Sequence, residues 1–183
     1  MTAVLEESET VCAVSDDELV SRYLKGERKA FDELFNRYVK VLYLFVATVL
    51  KNHAMIEDIV QETFIKALRA LPEYAQRGRF KAWILTIAAR TRLDYLKMKH
   101  VLSERSSIEQ LEREIAGIPE EREDVGDILK LVRPFEREIL LLRVVEGLSY
   151  DQISEITRVE QSRLRKVVCR ALSALRGGIG DEL

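Results

Sequence analysis

Apolar residues recur every three or four positions along most of this chain, a period that gathers them onto single faces of helices. Phe31, Leu34, Phe35, Tyr38, Val41, Leu42, Phe45, Val46 and Val49 form one such face, which "KNH" at 51–53 interrupts. Ile56, Ile59, Val60, Thr63, Phe64, Ala67, Leu68 and Leu71 form the next, and Pro72 stops it. Phe80, Trp83, Ile84, Ile87, Ala88, Tyr95 and Met98 line a third. A shorter helix precedes them, because Ser15 and Glu18 have capping-box spacing and Gly26 supplies a stop. With 8 Gly and 3 Pro in 183 residues, turn formers are too sparse for an all-β fold. The expected fold class is all-α.

A shift in composition divides the chain. Residues 15–100 read as one compact helical domain behind a disordered extension at 1–14. From 101 to 124 acidic residues outnumber basic ones and large aromatics vanish, so this stretch reads as an acidic linker with little apolar surface to anchor it. A second small helical domain follows at 125–177, with a tail at 178–183. Its first part, Ile128, Leu129, Leu131, Val132, Ile139, Leu140, Leu142, Arg143 and Val144, predicts two helices around Pro134, closed by Gly147.

Several function classes are excluded by what is missing. The first residues, "MTAVLEESETVCAV", carry acid where a signal peptide needs base, and no apolar run is long enough to span a membrane. A cytoplasmic protein without membrane insertion is expected. Cys12, Cys169, His53 and His100 have no metal-ligand spacing, so no metal and no disulfide framework are predicted. There is no Gly-rich phosphate loop and no nucleophile elbow, and the carboxylates read as solvent-facing; no catalytic residue and no cofactor are expected.

The charge is unevenly placed. The chain carries a net charge of -2, yet Arg163, Arg165, Lys166, Arg170 and Arg176 lie close together with no acid among them. Ser149 and Gln152 form a second capping box, so a helix starts at Tyr150 and buries Ile153 and Ile156. After a break at 158–161, a second helix buries Leu164, Val167, Val168, Ala171, Leu172 and Leu175. Projection turns Ser162, Lys166, Cys169, Arg170 and Ser173 away from that core, with Arg163, Arg165 and Arg176 toward the flanks. This is the layout of a helix-turn-helix that puts its second helix into the major groove. On pattern alone a solvated charged face fits as well.

"PFEREILLLRVVEGLSYDQISEI", with the basic helix behind it, resembles the fourth conserved region of the sigma-70 family. "AFDELFNRYV", "IEDIVQETFIKAL" and "FKAWILTIAARTRLDYLK" resemble its second region, in the right order. The match is to extracytoplasmic-function sigma factors, the two-domain group, and it extends from Asp16 to Arg176.

The resemblance implies a transcription initiation factor that binds core RNA polymerase and promoter DNA, is monomeric when free, reaches the nucleoid through polymerase, and is silenced by an anti-sigma factor. Asp58, Gln61, Glu62 and Ile65 form a second stripe on their helix and correspond to the face that docks on the polymerase clamp. "PEYAQRGRF" corresponds to the loop that captures an unstacked −10 base, with Tyr74, Arg77, Arg79 and Lys81 as contacts and Arg90 and Lys97 on the next helix. Ser162, Arg163, Arg165, Lys166, Arg170 and Arg176 correspond to the −35 reader. The chain departs from the family pattern at Arg90, usually Asn, at Lys97, usually Arg, and at Arg158, usually Gly. It also has Glu160-Gln161-Ser162-Arg163 in place of Pro-x-Gly-Thr. Two local consequences are expected: a strained left-handed turn at Arg158, and an early cap of the recognition helix by Thr157 with Glu160. The rival readings are a conventional dimeric helix-turn-helix regulator, for which no heptad seam is visible, and an enzyme.

Overall fold

The computed structural model describes residues 14–75, 78–103 and 132–180, and every regular element among them is helical. The extension at 1–13, Arg77, most of the expected linker, and Ile128, Leu129 and Leu131 lie outside the described residues.

Four helices build the first unit. α1 (Asp16–Leu24) starts where the Ser15 side chain accepts from Glu18 N at 3.2 Å, and Asp16, Asp17 and Glu18 complement the positive end of its dipole. Only half of the expected capping box forms, because the Glu18 carboxylate turns to Arg22 at 2.9 Å. Gly26, at φ 102, lets the chain reverse into α2 (Arg28–Ala47). α3 (His53–Ala70) is capped by Asn52, which accepts from Met55 N at 3.2 Å. It tightens into a 3₁₀ turn, Leu71–Glu73, where Pro72 cannot continue the ladder. α4 (Phe80–Ser103) closes the bundle and runs three residues into the expected linker.

The faces read from periodicity form the core: Leu34, Leu42, Phe45, Ile56, Ile59, Leu71, Phe80 and Ile84 are fully buried, joined by Leu19 and Leu85, which that reading did not include. Phe35 and Met98 depart from that reading. Phe35 is 37% exposed with its ring against Phe64, and Met98 is 63% exposed toward the end of α4, while the nearby Tyr95 and Leu96 are half-buried.

The second unit begins with α5 (Pro134–Leu140), with proline at the first helical position, and passes into a π turn, Leu141–Val145. That turn corrects the expectation for Val144. Glu146 N bonds Leu141 O at 2.9 Å, one residue further than an α-helix would, and the widened turn carries Val144 and Val145 to the surface. Leu142 and Leu148 take the buried positions. Gly147, at φ 69, turns the chain into α6 (Tyr150–Thr157), and α7 (Gln161–Gly180) follows. The buried residues of both units belong to one apolar cluster, with α6 packed along α4.

Candidate nucleic-acid interface

The α6–α7 pair is set by local chemistry. Ser149 accepts from Gln152 N at 3.2 Å while Gln152 accepts from Ser149 N at 2.9 Å, so the predicted capping box is complete. Ile153 and Ile156 are buried, and Arg158 takes φ 58, ψ 30 with its N–H on Ser154 O at 2.8 Å. The strained turn is therefore present, with a side chain where glycine would cost least. The early cap is not. Thr157 ends α6 and donates its hydroxyl to Ile153 O at 2.8 Å, so α7 starts without it at Gln161.

Leu164, Val167, Val168 and Ala171 bury the inner side of α7, while Ser162, Arg163, Arg165, Lys166, Cys169, Arg170 and Arg176 are exposed. The outward residues of the projection from sequence are all exposed, while Leu172 and Leu175, expected to be buried, are half-buried. The cations are not equivalent, however. Arg165 lies over the Tyr150 ring at 5.4 Å, with Arg143 over the same ring at 4.7 Å. Arg170 points Nε and Nη2 at Glu136 of α5. Among the described residues no carboxylate pairs with Arg163, Lys166 or Arg176.

Glu136 and Glu138 overturn the expectation that carboxylates face solvent, since both are buried. Each is compensated. Arg133 reaches Glu136 with a guanidinium nitrogen at 2.8 Å and its backbone N–H at 3.1 Å. These bonds from Arg133, with the help of Arg170, pull the Glu136 carboxyl down to about 2. Glu138 takes Arg92 of α4 at 2.9 Å, and Arg92 also lies over the Phe45 ring at 4.8 Å. The Arg92–Glu138 pair leaves no periodic trace in sequence.

On α3, Asp58, Gln61 and Ile65 are exposed and Glu62 is half-buried, 4.0 Å from Lys66. Ile65 is 42% exposed among polar neighbours. The stripe is a mixed acidic and apolar surface opposite the core face, suited to a partner helix.

The loop before α4 is anchored by Asp17, which accepts the Tyr74 hydroxyl at 3.1 Å and Gly78 N at 2.6 Å. Tyr74 is half-buried, its ring 5.7 Å from Phe80 and 5.0 Å from Trp83. Burial, with the Asp17 charge beside it, pushes its phenol upward, so it remains a protonated donor. Arg79 sits 3.2 Å from Asp151 and 3.6 Å from Glu155, and Lys81 sits 3.1 Å from Glu146. Arg90 and Lys97 are exposed further along α4. Asp94, the acid within reach of Arg90 by spacing, pairs with Lys66 at 3.6 Å instead.

Comparison with known proteins shows the family. Residues 34–100 match sigma-70 region 2, and residues 122–175 match sigma-70 region 4. The chain is 32% identical over 190 residues to the extracytoplasmic-function RNA polymerase sigma-E factor of Haemophilus influenzae, covering 91% of this chain and 96% of the relative. It is 28% identical over 167 residues to the RNA polymerase sigma factor CarQ of Myxococcus xanthus, covering 88% and 96%. Its fold resembles CnrH solved in complex with the cytosolic domain of CnrY, at TM-score 0.62 and 21% identity over 92% of this chain and 99% of that one. It also resembles the sigma factor RpoE solved with the anti-sigma factor NepR from Bartonella quintana, at TM-score 0.64 and 22% identity over 81% and 96%. The chain belongs to the sigma-70 family as an alternative sigma factor of the extracytoplasmic-function group, the component that binds core RNA polymerase and directs it to promoter DNA.

Proposed function

We propose that the work is divided among three surfaces. The α3 stripe of Asp58, Gln61, Glu62 and Ile65 docks core polymerase on its clamp. The loop and α4, through Tyr74, Arg77, Arg79, Lys81, Arg90 and Lys97, take the opened −10 strand. The outer face of α7, through Ser162, Arg163, Arg165, Lys166, Arg170 and Arg176, reads the −35 duplex. The exposed, acid-free face of α7 carries this reading, because a polyanionic groove is the partner that such a face fits in a chain otherwise slightly acidic.

On this reading the protein acts in the cytoplasm by binding alone, without covalent chemistry. Strand opening draws on captured bases, each stacking contact contributing about 1–3 kcal/mol against the cost of unstacking. No described helix is long and apolar enough to cross a membrane. An anti-sigma factor is the expected silencing partner, in line with the two solved relatives bound to the cytosolic domain of CnrY and to NepR. A conventional regulator is disfavoured by the match to region 2, which such a protein has no use for.

Asp58→Ala with Gln61→Ala tests the docking face. Both side chains are exposed, so helicity and melting temperature should stay within error while affinity for core polymerase falls about tenfold or more. An unchanged affinity removes the assignment.

A further inference from the structure

Two adjacent carboxylates in the first turn of α1 hold different parts of the chain. Asp16 reaches α2, where it accepts from Arg37 at 2.6 Å and from the Tyr38 hydroxyl, and Arg37 also donates to Val14 O at 3.0 Å. Asp17, half-buried, reaches the loop before α4 instead. Its Oδ1 accepts the Tyr74 hydroxyl at 3.1 Å and its Oδ2 accepts Gly78 N at 2.6 Å, bonds that span 57 and 61 positions of sequence. Among the described residues no cation forms an ion pair with Asp17.

Each bond fixes one feature of the loop. Gly78 takes φ 74, and Arg79 follows it at the start of α4, where Trp83 N bonds Arg79 O at 3.0 Å. The bond to Gly78 N therefore sets the direction in which the chain enters α4, and with it where Arg79 and Lys81 stand. The bond to the Tyr74 hydroxyl sets the tilt of a ring that also packs on Phe80 and Trp83. Because Asp16 ties the same turn to α2, the anchor is itself held.

A carboxylate is a poor neighbour for a polyanion. On charge alone Asp17 would weaken the hold of the adjacent cations on a nucleic-acid strand. We propose that Asp17 is a positioning residue for strand capture, holding Tyr74 and the Gly78–Arg79 step in the geometry that receives the opened −10 strand. The inference rests on the assignment of this loop and α4 to that strand. Asp17 touches no DNA and acts through Tyr74 and Gly78. A loop ordered before the strand arrives does not have to be ordered by it, so the effect falls on capture. Core docking through α3 and −35 reading through α7 use other elements and stand apart from it.

Three variants separate the parts. Asp17→Ala removes both bonds, Asp17→Asn removes the charge and keeps the shape, and Tyr74→Phe removes one bond and keeps the ring. Each full chain is assembled with core polymerase on a promoter fragment that the wild-type holoenzyme opens, and the lifetime of the open complex is timed after a heparin challenge. Affinity for core polymerase and for a −35 duplex fragment is measured alongside. Asp17→Ala should shorten the lifetime about fivefold and flatten base preference at −10, with both affinities within about twofold of wild type. Asp17→Asn should shorten it by less, and Tyr74→Phe should add nothing to Asp17→Ala. A longer lifetime for either Asp17 variant, as relief of charge alone predicts, an unchanged lifetime, or a parallel loss of core affinity overturns the positioning role. Lys81→Ala scores the −10 assignment in the same assay. A lifetime shortened by Lys81→Ala and not by Asp17→Ala removes the positioning role alone, whereas no change from either removes both.

Discussion

Arg170, on the exposed side of α7, is held by Glu136 of α5, with Nε 2.8 Å from the Glu136 carboxylate. The pair spans 34 positions of sequence and ties α7 to α5. Arg170 therefore has a structural duty that Lys166, exposed one turn earlier, does not share.

That difference is measurable. Arg170→Ala should lower the stability of the second unit by about 1 kcal/mol, a modest figure because its side chain is 59% exposed and Arg133 still compensates Glu136. Lys166→Ala should leave stability within about 0.5 kcal/mol and relax sequence preference at the −35 element. A denaturant double-mutant cycle of Arg170→Ala with Glu136→Gln checks the coupling, and additive effects would show that the pair is idle.

Acid should act through the same carboxylate. The folded Glu136 titrates at about 2, below the ordinary carboxylate range near 4.3. A group depressed on folding contributes stability that is complete above its unfolded value and is lost as pH falls toward the folded one. Wild type should lose stability between about pH 5 and pH 2, and Glu136→Gln should flatten that limb. Urea midpoints measured across this range check it.

Arg158 offers a gain rather than a loss. Its φ of 58 places a side chain in the left-handed region, where glycine sits without strain. Arg158→Gly should stabilise the protein by about 0.5–1 kcal/mol, the relieved strain being partly offset by the extra freedom of glycine in the unfolded chain. Melting temperature reads it directly. A lower value would mean that the arginine side chain has a compensating contact.

What the sequence made legible was what is local. Ser149 and Gln152 satisfy each other three positions apart, and the apolar period placed Leu34, Leu42, Ile59 and Ile84 correctly, because both signals repeat along the chain. The outward face of α7 followed from the same arithmetic. The π turn was not legible, since a single widened turn shifts Val144 off its expected face without a residue type that announces it. Glu138 was equally silent. Its partner Arg92 lies 46 positions away on another unit, and nothing in either neighbourhood marks one acid among many as buried. The outward faces of α3 and α7 could thus be read from periodicity, while the contacts that fix Arg79, Lys81 and Arg170 emerged only from the fold.

As a sigma factor this chain confers promoter recognition on core polymerase. Run-off transcription with purified core polymerase on a library of promoter fragments, with and without the purified chain, measures that property. Discrete transcripts should appear only when the chain is added, start downstream of paired −35 and −10 elements, and fall in parallel with core affinity for Asp58→Ala with Gln61→Ala. Transcripts indifferent to the chain, or tight sequence-specific binding of the chain to duplex DNA with no effect of polymerase, would contradict it.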